Sequence, residues 1–165
     1  MERFAARHKI SLASSHSLFL SGAGSIDGHP VTLALPRTFM NDSGRAVAAL
    51  LAERGVPPDS MVVVYDEMDL PLGRLRLRRG GRDGGHQGVR SILTAIATEQ
   101  FCRLRLGIGR PSPGRDWADY VLETVPPAER PIVEEMTALA VDALQCVVLE
   151  GFESAMNRYN QRASE

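Results

Sequence analysis

The feature that most restricts the fold is a short apolar run, Met61 to Tyr65, with turn-forming residues on either side. No polar residue interrupts it, so it lacks the alternation of a strand that has one face in water. Such a strand is typical of α/β folds, in which helices cover both faces of a sheet. Asp66, Glu67 and Asp69 follow it, and ligands of these sheets bind beyond the carboxyl ends of the strands. The run therefore predicts a sheet with helices on both faces and a candidate functional site at the carboxyl end of this strand.

The rest of the chain alternates between strand and helix patterns. The patterns predict strands near residues 17–25, 30–35, 61–65, 74–79 and 103–109, and helices near residues 1–9, 43–54, 89–96, 117–122, 128–149 and 152–159. A chain of 165 residues suits one domain. We therefore expect an α/β fold: a single-domain three-layer sandwich over residues 1–165, with a mixed, mainly buried sheet and a C-terminal helical segment.

Positive charge is concentrated in the middle of the chain. Residues 74–115 carry ten arginines and two acidic side chains, a balance of +8, whereas residues 116–165 balance to −7. The planar guanidinium fork suits phosphate, so this segment is a candidate site for a polyanion. A charged run is more often an ordinary solvated surface, and the charge alone does not specify a partner.

Alternation within the basic segment predicts two basic strands. Arg74, Arg76 and Arg78 fall on one face of the first strand, with leucines on the other face. Arg103 and Arg105 alternate with apolar residues in the same way. A glycine-rich loop and an apolar helical stripe lie between the two strands, so we expect a loop that enters the N-terminus of a helix.

Composition and targeting signals favour an intracellular setting. No apolar run approaches the roughly 18 residues that a membrane span needs, and residues 1–4 lack the pattern of a secretory signal. Cys102 and Cys146 each stand alone in apolar surroundings. We expect a cytoplasmic protein that makes no contact with a membrane.

Three ordered stretches resemble the bacterial-type peptidyl-tRNA hydrolase family. They are residues 36–44 (PRTFMNDSG), residues 65–71 (YDEMDLP) and residues 84–88 (GGHQG). Residues 103–111 (RLRLGIGRP) and 157–158 (NR) are similar to further family signatures. The resemblance thus covers essentially the whole chain, and the ordered set is specific although no single motif is decisive.

The resemblance implies hydrolysis of the ester between a peptide and the terminal ribose of tRNA, which recycles peptidyl-tRNA released from ribosomes. The family works as a monomer without metal or cofactor and uses a histidine as general base. Asp66 matches the aspartate that orients this histidine. The alternative is that Asp66 has only a structural role, as a carboxylate that stabilises a turn or caps a helix.

The resemblance also implies binding residues. Phe39 and Asn41 match residues that hold the terminal adenosine and the peptide end, and His86 and Gln87 match residues of the same crevice. Gln87 stands where relatives usually have asparagine. The implied clamp for the 5′ phosphate of tRNA is formed by two arginines of the basic segment, Arg78 and Arg105.

One departure from the family concerns catalysis. Family members begin with a strand that ends in Asn-Pro-Gly, followed by Thr-Arg-His-Asn, whose histidine is the base, and neither motif occurs in this sequence. We therefore expect a chain that lacks the N-terminal strand and the catalytic histidine motif. His8 lacks the upstream strand, and a helix-end histidine is its commoner interpretation. Nothing in the sequence pairs His86 with Asp66.

Two alternatives stay open at this point. The first is a non-catalytic RNA-binding protein of the same fold that keeps the basic groove without the base. The second is a metal hydrolase that uses Asp66, Asp69 and Asp83, although the sequence has no histidine or cysteine ligand spacing. Retention of Asp66 favours the esterase, because an aspartate that orients a histidine has little use without one.

Overall fold

A computed structural model describes residues 1–162, with residues 14, 15 and 162 described by their backbone alone. The helices are α1 (Glu2–Arg7), α2 (Ser43–Arg54), α3 (Gln87–Ile96), α4 (Trp117–Leu122), α5 (Arg130–Glu150) and α6 (Phe152–Arg162). The strands are β1 (Ser14–Ser15), β2 (Phe19–Ile26), β3 (His29–Pro36), β4 (Val62–Glu67), β5 (Leu75–Arg79) and β6 (Cys102–Gly107). The predicted α/β class is confirmed. No helix within residues 1–162 is long and apolar enough to cross a membrane.

The strands form two sheets where the pattern predicts one. In the mixed sheet, of order β4-β6-β5, β4 runs parallel to β6 and β5 runs antiparallel to it. Strands β1, β2 and β3 form a separate antiparallel sheet. Asp27 and Gly28 adopt positive φ angles of 47° and 85°, which close β2 and β3 into a tight hairpin. Strand β2 pairs with β1 and β3 and with no strand of the mixed sheet, so this segment forms a sheet of its own.

Helices cover both faces of the mixed sheet, as the three-layer prediction requires. Leu75, Leu77 and Leu104 are at most 1% exposed and pack against α5 and α6. Val63 and Tyr65 pack on the opposite side, with residues of α3. Each fully buried leucine contributes about 1.5–3 kcal/mol to folding. The apolar side chains of β4 are covered on both faces of the sheet. They are only partly buried, because β4 lies at the edge of this sheet.

Close packing of α2 on α3 fixes a short turn near the end of β4. The N–H of Gly44 donates to Ser91 Oγ at 2.9 Å, and a Cβ at position 44 would collide with the carbonyl oxygen of Ser91. Only glycine allows the two helices to approach so closely. The 3₁₀ turn Met40–Asp42 leads into α2 and is therefore held against the N-terminal part of α3.

Asp42 and Ser43 are the two residues at the start of α2 whose side chains could cap the helix. Asp42 occupies the capping position, but its side chain makes no capping hydrogen bond. Its Oδ2 instead accepts from Arg45 Nη1 at 2.9 Å, and Ser43 Oγ donates to the carbonyl oxygen of Met40. The helix begins where the sequence predicts, but neither polar side chain caps it.

Candidate active site

Asp66 and His86 meet at the carboxyl end of β4. Asp66 is the penultimate residue of that strand, and His86 is the residue that precedes α3. The distance from His86 Nε2 to Asp66 Oδ1 is 3.3 Å. The expectation that nothing pairs these residues is therefore wrong. Glycines of the intervening loop, including Gly84 and Gly85, adopt positive φ angles, and this turn brings His86 back to the strand end.

Hydrogen bonds to both ring nitrogens fix the tautomer of His86. Its Nδ1 accepts from the backbone N–H of Val89 at 3.2 Å, which caps α3. Because Nδ1 accepts, the ring proton of the neutral imidazole is on Nε2, and this N–H donates to Asp66. The ring also packs edge-to-face with Tyr65, with the ring centroids 5.0 Å apart. No lone pair of His86 is free to accept a proton from water in this arrangement.

Asp66 is held in its ionised form. The hydrogen bond from His86 lowers the pKa of the carboxyl below its ordinary value; burial opposes this effect, and attraction to His86 supports it. The side chain is 38% exposed, so solvent and substrate can reach it. Because the folded pKa is lowered, the contribution of Asp66 to stability is present above about pH 4 and is lost as the pH falls through the folded pKa.

The turn that carries Phe39 and Asn41 lies beside His86. A Cβ at position 88 would lie 2.5 Å from Met40 Sδ and 3.0 Å from His86 Cε1, so both side chains pack against Gly88. Phe39 is 86% exposed, and Asn41 is exposed as well. Gln87, the first residue of α3, is also exposed. The residues that the resemblance assigns to substrate thus lie around one end of α3.

A cavity of about 440 Å³ lies next to this region. Arginines from β5 and β6, carboxylates and the glycine loop form its wall. The lining residues are Tyr65, Glu67, Arg78, Gly80, Gly81, Arg82, Asp83, Gly84, Glu99, Arg103 and Arg105. Asp66 and His86 do not line it, so the arginine cavity and the Asp66–His86 pair are neighbouring but separate features.

Arg105, one of the two predicted clamp residues, is paired within the protein. Its Nε and Nη2 donate to Glu67 Oε2 at 2.8 and 2.5 Å, and the two side chains are only 16% and 7% exposed. The other oxygen, Oε1, accepts from the backbone N–H of Asp69 at 3.1 Å. The sequence gives no sign of this pair. Arg78, in contrast, is exposed at the rim of the cavity.

Arg103 supports the glycine loop. It is 2% exposed, and its guanidinium donates to the carbonyl oxygens of Gly81 and Arg82. The group also lies 4.5 Å from the centroid of the Phe101 ring. This arginine belongs to the predicted basic strand, but its guanidinium binds the backbone of the glycine loop.

The other histidines lie away from Asp66. His8 follows α1 and packs on Phe4, with 4.6 Å between ring centroids, and His16 stacks on Phe19 at 4.4 Å. His29 begins β3 in the hairpin sheet. His86 is therefore the one histidine of the described chain that contacts Asp66.

The carboxylates of the metal alternative do not converge. Asp69 accepts from Arg110 Nε at 2.9 Å, and Asp83 accepts from Arg90 Nε at 2.7 Å. Within residues 1–162 no group of three or more histidine, cysteine, aspartate or glutamate side chains is arranged to hold a metal ion.

Comparison with known proteins identifies the family. The family model described as peptidyl-tRNA hydrolase matches residues 1–165. Peptidyl-tRNA hydrolase of Brevibacillus brevis is 46% identical over 141 residues, which are 86% of this chain and 75% of that protein. That of Dehalococcoides mccartyi (strain CBDB1) is 42% identical over 163 residues, which are 97% of this chain and 86% of the relative.

A solved structure shows the same fold. The crystal structure of peptidyl-tRNA hydrolase from Acinetobacter baumannii superimposes with a TM-score of 0.90 at 34% identity, covering 96% of this chain and 81% of that one. Sequence and fold agree over nearly the whole length. The chain belongs to the peptidyl-tRNA hydrolase family.

Proposed function

We propose that this chain hydrolyses the ester between a peptide and tRNA, and that it acts in the cytoplasm as a monomer without metal or cofactor. The family assignment supports the reaction. The main structural support for the site is the 3.3 Å contact between His86 Nε2 and Asp66 Oδ1 at the carboxyl end of β4. It provides an oriented, ionised carboxylate beside an arginine-lined cavity.

In this proposal Asp66 is the catalytic carboxylate and His86 is its positioning residue. His86 occupies Oδ1, so Oδ2 is left to accept the proton of the attacking water as the water oxygen bonds to the ester carbonyl carbon. The proton then passes to the ribose oxygen as the ester bond breaks. The family resemblance implies a separate histidine that acts with this aspartate, and we propose that residues 1–165 contain no counterpart of that histidine. Phe39, Asn41 and Gln87 contact the terminal nucleotide and the peptide end.

The direct test is release of labelled amino acid from N-acetylated aminoacyl-tRNA under single-turnover conditions. We expect release above the rate in buffer alone, and we expect it to depend on Asp66. Binding of tRNA without release would contradict the proposal and would instead favour the non-catalytic RNA-binding alternative.

The role of Arg78 is tested by the salt dependence of binding. We expect Arg78→Ala to weaken tRNA binding and to lower the slope of log K against log salt by about one unit, because one exposed cation no longer displaces a counterion from phosphate. Filter binding at several salt concentrations measures the slope. Arg45→Ala, which removes an arginine that is paired with Asp42 away from the cavity, is the matched control. An unchanged slope in Arg78→Ala would remove this residue from the proposed clamp.

The two contacts of His86 can be separated by one substitution. Asparagine is among the best capping residues, so His86→Asn keeps an acceptor for the N–H of Val89, but its amide is too short to reach Asp66. We expect the pKa of Asp66 to rise while α3 stays intact, because the hydrogen bond that lowers it is lost. Titration of the carboxyl carbon by NMR measures this change. A pKa that stays where it is in the wild type would show that His86 does not control Asp66.

A further inference from the structure

The outer edge of β5 is covered by one side chain of the last helix. Strand β5 is at the edge of the mixed sheet, with β6 as its partner. Alternate residues of such a strand direct their N–H and C=O groups outward, where they need another partner. At Leu77 the N–H donates to Asn160 Oδ1 at 2.8 Å, and the carbonyl oxygen accepts from Asn160 Nδ2 at 3.0 Å. The amide of Asn160 therefore replaces a neighbouring strand at this position.

This contact falls between two arginines. Leu77 is 1% exposed and its side chain lies in the core, whereas Arg76 and Arg78, on either side, point to the opposite face. The register sets Arg78 opposite Arg103 and Arg76 opposite Arg105. A displacement of the backbone at Leu77 would consequently move both exposed arginines relative to the cavity.

Arg78 depends on its strand more than Arg103 and Arg105 do. Arg105 is held by Glu67, and Arg103 by two carbonyl oxygens. The side chain of Arg78 is exposed and lies over Gly81, where a Cβ would be 3.2 Å from its Cζ. The position of its guanidinium thus follows from the backbone of β5.

We propose that Asn160 is a positioning residue for substrate binding: its amide fixes the outer edge of β5 at Leu77 and thereby places Arg78 for a phosphate of tRNA. This inference rests on the proposed function. It assigns a binding role to a side chain of α6 that contacts no part of the arginine cavity.

The test replaces Asn160 with leucine, which has nearly the same volume and neither hydrogen bond. We expect Asn160→Leu to raise KM for N-acetylated aminoacyl-tRNA about three- to tenfold, as expected for the loss of one or two hydrogen bonds, with kcat unchanged. Amide hydrogen exchange at Leu77 should be faster. Asn157→Leu, an exposed position on the same helix, is the control and should leave both quantities as in the wild type.

A double-mutant cycle separates positioning from a purely structural role. In the Arg78→Ala background, Asn160→Leu should have little further effect on KM, because the residue that it positions is gone. An equal effect with and without Arg78, or a fall in kcat, would overturn the inference. Asn160→Ala, which has no bulk to accommodate, repeats the cycle if the leucine variant does not fold. Failure of the proposed function would be visible separately, as absence of release and of tRNA binding by the wild type.

Discussion

Asp66→Asn is expected to lower the single-turnover rate of ester hydrolysis by about 10²-fold or more, since a positioned proton acceptor contributes about 10²- to 10⁴-fold. The amide has nearly the size of the carboxylate, and its oxygen can still accept the N–H of His86 at Oδ1. What disappears is the negative charge and one of the two acceptor oxygens. Neutral water attacks an ester slowly, so the loss should fall on the chemical step.

Three measurements make this result specific. The folded fraction should change little, because Asp66 is 38% exposed and its hydrogen bond is retained. Binding of tRNA should stay close to that of the wild type, because Asp66 does not line the arginine cavity. Asp69→Asn is the matched control, since this carboxylate is close in sequence but is paired with Arg110. A rate for Asp66→Asn within about threefold of the wild type would instead support the turn or capping role.

Local patterns in the sequence predict the elements and their faces well. The alternation of arginine and leucine in β5 corresponds to an exposed Arg76 and a buried Leu75 and Leu77, as a period of two requires. The Asp27-Gly28 dipeptide corresponds to a hairpin with the pairs Ile26–His29 and Ser25–Pro30 at its end. Such features depend on residues that are close in sequence, so composition and spacing contain them.

The contacts of the site depend on register and loop path, which the sequence does not display. Glu67 and Arg105 are 38 positions apart, and they meet because β4 pairs with β6 in a register that sets Tyr65 beside Arg105 and Glu67 two residues further along the same face. Asp66 and His86 meet only because the glycine loop turns back on the strand end.

The ion pair of Glu67 and Arg105 leads to a second prediction with a large effect. We expect Arg105→Ala to destabilise the fold by about 3–5 kcal/mol, because it leaves the carboxylate of Glu67 buried without its cation. Chemical denaturation at neutral pH measures the free energy of unfolding. Glu67→Gln in the Arg105→Ala background removes the unpaired charge and should recover much of the loss, which a simple loss of packing around Arg105 would not allow.

The same pair changes what Arg105 contributes to tRNA binding. A cation already neutralised by Glu67 displaces no counterion from phosphate unless the pair opens, so at equal folded concentration Arg105→Ala should lower affinity with little change in the salt slope. Arg78→Ala, in contrast, should lower the slope of log K against log salt. Because both arginines line one cavity, the comparison of the two variants serves as an internal control. Glu67→Gln should raise the slope by about one unit, because it releases the charge of Arg105. A fall of the slope by about one unit in Arg105→Ala would mean that substrate binding separates Arg105 from Glu67, and the cavity would then recognise phosphate by charge and not by an oriented pair of donors.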